Sequence, residues 1–154
     1  MKVVIAPNAF KGCLTASEAG TYFFDVREEV GAIRVSRMVA GRRQPPEVLP
    51  ETINSGKWIA HPFIAPDESY LIWDAERDGG YGDSDLYISF KQRDGSWGPA
   101  INLGPEINTE HEDTFGSVTP DGKYLIFQRI DANRPISFAN IHWVDAQVLV
   151  ELRD

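Results

Sequence analysis

The sequence has little of several residue types, and each shortage narrows the class of protein. A single cysteine, Cys13, in 154 residues excludes an internal disulfide, so nothing indicates an oxidising compartment. No apolar run approaches the roughly 20 residues of a membrane-spanning helix. The apolar run 3–6 ends at Pro7, short of the roughly 7–15 residues that a secretory signal needs. As written, the sequence predicts a cytoplasmic protein.

Positive charge is also scarce. Fifteen Lys and Arg face 23 Asp and Glu, which gives a net charge of −8. Nucleic acids and anionic membranes select clustered basic residues, so neither is expected as a partner. The one basic cluster, Arg37, Arg42 and Arg43, falls in a predicted turn and is interpreted as a solvated loop.

The chain contains an internal repeat. Residues 64–73 (IAPDESYLIW) match residues 118–127 (VTPDGKYLIF) position for position, and residues 49–54 match 103–108 at the same offset of 54 residues. An eroded copy precedes them over 13–25, and the last copy is cut short. Several segments that keep one spacing indicate tandem structural units.

Each unit has the features of a small antiparallel sheet. Pro66-Asp67 and the Pro-Asp-Gly at 120–122 favour tight turns, and the apolar runs 70–73 and 124–127 suit strands covered on both faces. The sequence therefore predicts an all-β fold, a partial β-propeller of about three four-stranded antiparallel blades. The predicted units are about 13–63, 64–117 and 118–150, after a leader over 1–12. Only 15–19 and 145–153 look helical, and the second segment is also compatible with a closing strand.

Five motifs in order resemble the TolB-like, WD-repeat-like β-propeller family over residues 13–150: 64–71, 79–87, 95–97, 103–104 and 120–125. Residues 141–146 resemble the closing strand of such proteins. Members usually carry about six blades, so the resemblance implies that the chain corresponds to the C-terminal half of a propeller. Relatives in this family are often exported, in contrast to the cytoplasmic location predicted above. A second resemblance, of residues 1–19 to bacterial glycerate kinases, departs from that family's Asp and Ser at Asn8 and Ala9, and nothing after residue 20 continues it.

An open arc of blades leaves its first and last faces uncovered. Exposed apolar patches of more than a few hundred Å² are rare on monomers, so self-association is expected. The hypothesis is a homodimer that completes a ring of about six blades through an interface on the order of 2,000 Å² or more.

Residues 110–114 lead into the predicted innermost strand, and 56–61 is their counterpart in the preceding unit. Polar side chains there are expected to face the central channel, where propellers commonly bind ligands. The predicted ligand-binding residues are His61, His111, Glu112 and Asp113. The alternative is a solvated connecting loop.

No catalytic, metal or cofactor site is predicted. The acidic loop 78–85 suggests calcium ligands, but it lacks the ligand spacing of an EF-hand and is interpreted as a hairpin turn. The three histidines, His61, His111 and His142, fall at different repeat positions, which argues against a shared zinc site. No Gly-x-Ser-x-Gly nucleophile motif occurs.

The sequence favours a non-enzymatic binding or assembly module with a ligand or protein partner at the channel rim. Two alternatives stay open. One is a remnant enzyme, either glycerate kinase-like or a propeller hydrolase or lyase. The other is a rearranged open reading frame without a selected activity.

Overall fold

The computed structural model describes residues 14–26, 31–131 and 139–153, so the predicted leader 1–12 and Cys13 lie outside the described residues. The described segments contain thirteen strands and one helix: β1 (Leu14–Ala16), β2 (Tyr22–Val26), β3 (Ala32–Ser36), β4 (Met38–Val39), β5 (Arg42–Arg43), β6 (Glu47–Val48), β7 (Lys57–Ile64), β8 (Tyr70–Glu76), β9 (Asp85–Phe90), β10 (Ile101–Asn102), β11 (Glu112–Val118), β12 (Tyr124–Ile130), β13 (Ala139–Asp145) and α1 (Gln147–Glu151). Within these segments no helix has the length and apolar character needed to cross a membrane.

The strands form three successive antiparallel sheets. The first has the order β1-β2-β3-β6, the second β7-β8-β9-β10, and the third β11-β12-β13, while β4 and β5 form a separate hairpin. The matched runs 70–73 and 124–127 lie in different sheets, at equivalent positions in β8 and β12. The prediction of an all-β, partial β-propeller is confirmed.

The second and third sheets each begin one strand before the corresponding repeat unit drawn from the sequence. Strand β7 falls at the end of the first sequence unit but hydrogen-bonds to β8 in the second sheet. Self-comparison of a sequence finds the period of a repeat but not the strand that opens each sheet. Residues 15–19 are not helical: they form the end of β1 and a turn, whereas 145–153 contains α1.

The core consists of two apolar layers, one between each pair of neighbouring sheets. Leu71, Trp73 and Ala75 of β8 pack into the layer against the first sheet, and Ile72 of the same strand packs into the layer against the third. All four side chains are fully buried. Because successive strand residues point to opposite faces, β8 needs apolar residues at consecutive positions. Each fully buried large side chain contributes about 1.5–3 kcal/mol.

Two asparagines occupy equivalent positions in the repeat. Each holds the segment that follows its sheet against the third strand of that sheet. Asn108 accepts the Leu86 N–H (2.8 Å) and donates to the Leu86 carbonyl (2.9 Å), as a further strand residue would. Asn54 does the same for Ile33, at 2.7 and 3.0 Å. The asparagine that ends each matched motif, 49–54 and 103–108, thus satisfies the backbone of the third strand.

The carboxylate of Glu68, in the turn between β7 and β8, joins the first two sheets. Glu68 accepts hydrogen bonds from the Ser17 hydroxyl (2.7 Å) and from the Lys91 ammonium (2.8 Å). Burial alone would raise the pKa of Glu68, but these hydrogen bonds, with one from Thr21, lower its pKa to about 2. Glu68 has a φ of +61°, where the equivalent turn has Gly122. A side chain kept in a strained backbone indicates that its contacts offset the strain.

Replacing Asn108 by alanine leaves the Leu86 N–H buried without a partner, while the Leu86 carbonyl keeps its bond from the Leu103 N–H (3.1 Å). We therefore expect a loss of about 1–3 kcal/mol in the free energy of unfolding. Asn108→Asp keeps the acceptor but loses the donor, and it should fall between wild type and alanine. Urea unfolding monitored by tryptophan fluorescence measures these differences. The exposed Asn140→Ala variant is the control. An equal loss of stability in both alanine variants would contradict the role of Asn108 in binding the Leu86 backbone.

Glu68→Gln removes the charge but keeps the side-chain shape, and we expect a loss of about 1–2 kcal/mol at neutral pH. Because the folded pKa of Glu68 lies below its ordinary value of 4.5, its contribution is complete above that value and disappears as the pH falls towards about 2. Urea titrations across this range should show the two proteins converging in acid. The exposed Glu106→Gln variant should show no such convergence.

Candidate binding site at the channel rim

The two fully described inner strands carry a β-bulge at the same repeat position. In β7 the register shifts between Ala60 and Phe63, and in β11 it shifts between Thr114 and Ser117. Each bulge holds a bulky residue in the left-handed region, His61 with φ +49° and Phe115 with φ +57°. Such a conformation costs about 1–3 kcal/mol and is concentrated at functional sites.

An aspartate of the preceding sheet holds each bulge. The Phe115 N–H donates to Asp74 of β8 (3.0 Å), and the His61 N–H donates to Asp25 of β2 (3.4 Å). Asp25 and Asp74 occupy equivalent positions, since each follows the apolar run of its second strand. The strained residues are therefore fixed from the neighbouring sheet.

Asp74 also binds a histidine of its own sheet. His61 Nδ1 lies 2.9 and 3.0 Å from the two Asp74 carboxylate oxygens, and the His61 ring stacks on Phe115. Burial raises the pKa of Asp74, while the His61 contact and the Phe115 N–H act in the opposite direction. One buried carboxylate thus connects the bulges of the second and third sheets.

A cavity of about 770 Å³ opens beside these bulges, where the inner strands begin. Its described lining residues include five carboxylates and no lysine or arginine: Asp25, Gly31, Trp58, Ile59, Ala60, His61, Asp74, Glu76, Asp83, Ser84, Glu112 and Thr114. Trp58 is 60% exposed and has a φ of +52°, so a third strained residue stands at the same rim.

Two of the four predicted binding residues meet in this cavity. His61 and Glu112 line it, although they come from different sheets. His111 and Asp113 are not among the lining residues: His111 Nδ1 lies 3.7 Å from Asp131, and Asp113 is fully buried against Arg129 (2.7 Å).

Ten of the twelve described lining residues were not predicted as ligand-binding residues, among them Asp25, Asp74, Trp58 and Thr114. A signal existed for the two aspartates, because each interrupts an apolar strand at the same repeat position. Trp58 and Thr114 fall in the segments 56–61 and 110–114 that were expected at the channel rim, but which side chains enter the cavity depends on strand pairing.

The acidic loop 78–85 is closed by its own last residue. Asp85 accepts the N–H groups of Tyr81 (2.7 Å) and Gly82 (3.1 Å) and the Asn102 amide (2.8 Å). These bonds are typical of a carboxylate that shapes a hairpin turn. Among the described residues, no group of three or more His, Cys, Asp or Glu side chains is placed to hold a metal ion.

Comparison with solved structures identifies the architecture. A protein assigned as a TolB from Agrobacterium tumefaciens matches 88% of this chain with a TM-score of 0.61 and 17% sequence identity. TolB from Acinetobacter baumannii matches 88% with a TM-score of 0.57 and 14% identity. The chain has a TolB-like β-propeller fold.

The chain spans only part of these TolB-like propellers, 47% of the first protein and 32% of the second. No family model matches the sequence, and no curated protein matches it. The resemblances to WD repeats and to glycerate kinases have no counterpart in these comparisons and stay predictions.

Proposed function

We propose that this chain is a non-enzymatic binding module and that the rim cavity receives its ligand. The observation that carries the proposal is the pair of equivalent bulges, held in strained conformations by Asp25 and Asp74 beside a cavity of ligand size. Strained residues persist only where the surrounding structure fixes them. TolB-like propellers as structural neighbours favour a protein or peptide as the ligand.

The His61–Asp74 pair is the feature that most favours an enzyme, because a histidine oriented by a carboxylate can act as a general base. A nucleophile would have to bond to the free side of the ring. In the described part of the chain no hydroxyl or thiol bonds to His61, and the ring stacks on Phe115 instead. The pair therefore fits a structural role in the rim better than catalysis.

Selection of short random peptides displayed on phage tests the module. We expect peptides that bind wild type and lose at least about tenfold in affinity for the double variant His61→Asn, Glu112→Gln. Asparagine tolerates the left-handed conformation of His61, so this variant should fold. Glu106→Gln, outside the cavity, is the matched control. If every selected peptide binds the double variant as tightly as wild type, the rim is not the binding site.

The open face of the third sheet supports an assembly role. Ile126 and Trp143 are paired on this face, at the positions that Ile72 and Ile88 occupy in the second sheet. Ile72 and Ile88 are fully buried beneath the third sheet, whereas Trp143 is 67% exposed. These positions form the interface between the second and third sheets. The equivalent positions on the outer face of the third sheet have no described sheet packed against them.

We propose that a second copy of this chain covers the open face, so that two copies supply a ring of about six blades. The first sheet carries an exposed aromatic ring next to a cation. Its Tyr22 lies beneath the Arg43 guanidinium (3.7 Å to the ring centroid), and the open face of the third sheet carries the exposed Asp145. In the proposed dimer, this ring and cation would lie against the apolar surface and the carboxylate of the third sheet.

Sedimentation velocity at micromolar concentration should show a dimer, and Trp143→Asp should convert it to a monomer, because a charge would be buried without a partner. Ile141→Lys is a second variant on the same face and should act alike. Tyr81→Asp changes an exposed aromatic in loop 78–85 and should leave the dimer intact. A wild-type monomer, or a dimer that neither face variant weakens, would refute the assembly.

A further inference from the structure

The described lining of the rim cavity is acidic. Glu76 lies 3.6 Å from Lys57, but that pair is exposed and weak. Asp83, in the loop before β9, and Glu112, at the start of β11, add their charges to one cavity. A concave site lined by one sign of charge attracts a ligand of the opposite sign.

A second feature of the cavity points to a ligand independently of this charge. Thr114 lines the cavity and is 5% exposed, yet its hydroxyl has no hydrogen-bond partner among the described residues. A buried hydroxyl without a partner costs about 1–3 kcal/mol. A ligand that supplies a hydrogen-bonding group at this point would recover that energy.

The geometry points to an alkylammonium group, either a lysine side chain of a peptide or a free polyamine, as the ligand of the rim cavity. This inference rests on the proposed binding function. Glu112 and Thr114 are two residues apart on β11, before its bulge, so they share one face of the strand. The exposed ring of Trp58 adds an aromatic surface at the rim, and such surfaces attract cations.

An ammonium group suits these acceptors better than a guanidinium group. An ammonium carries three donors that can reach separate acceptors, whereas a guanidinium presents a planar fork that matches one carboxylate. Here the hydroxyl and the carboxylates come from separate residues, and both Asp74 oxygens are already bonded to His61. The cavity therefore offers scattered acceptors to a compact cation.

Calorimetric titration with a tetralysine peptide, with the same peptide carrying acetylated lysines, and with spermidine tests the inference. We expect the lysine peptide to bind at least about tenfold more tightly than its acetylated form. Spermidine distinguishes the sources: binding as tight as that of the peptide indicates a polyamine site, and weaker binding indicates a lysine side chain within a polypeptide. Equal affinity for the lysine and acetyl-lysine peptides would overturn the inference.

Thr114→Val separates a binding role from a structural one. Removing an unpartnered buried hydroxyl should leave the melting temperature unchanged or raise it, while the lysine peptide should bind about 3- to 10-fold more weakly. Glu112→Gln should weaken binding by about 2- to 5-fold, and Glu106→Gln should leave it unchanged. Unchanged affinity in both Thr114→Val and Glu112→Gln would place the cation elsewhere.

The outcomes also distinguish this inference from the function on which it rests. If selected peptides depend on His61 and Glu112 but do not require lysine, the rim binds a ligand of another class. If no peptide depends on those residues, the binding function and the ammonium site both fail.

Discussion

The structure depends on one constraint, which is that the second sheet must bury both of its faces against the sheets on either side. Strand β8 shows it most clearly, because Trp73 and Ile72 are fully buried in opposite layers. Apolar layers alone do not determine how two sheets align, since dispersion and hydration forces have little direction. The alignment comes from polar contacts at the ends of the strands, where Asp74 bonds to Phe115 and Glu68 bonds to Ser17.

The aspartates that make the polar contacts at the bulges also line the rim cavity. A bulge turns His61 and Phe115 out of the regular strand, and the carboxylates that hold the bulges line the space beside them. A change at Asp74 therefore affects two properties together, the contact between the second and third sheets and the charge of the cavity. A side chain such as Thr114, which fastens nothing, is where ligand binding and stability can be separated.

The repeat predicted the fold well because turns and apolar strands are local features of sequence. The matched turns at 66–69 and 120–123 and the strands that follow them appear as predicted. The site was harder to predict because strand residues alternate between faces. Glu112 faces the cavity, whereas its neighbour Asp113 faces Arg129 and is completely buried. The bulges at His61 and Phe115 arise from strand pairing, which no single segment of sequence specifies.

The assembly and the ligand proposal reinforce each other. If two chains complete one ring, their two rim cavities open towards the same channel, each with its own Glu112 and Thr114. A polypeptide with several lysines could then occupy both cavities at once, and the second contact would form at high effective concentration. Two weak ammonium sites would together hold a partner that neither site holds alone. In the proposed dimer, the apolar contact at Trp143 would bring the second acidic site within reach of the same partner.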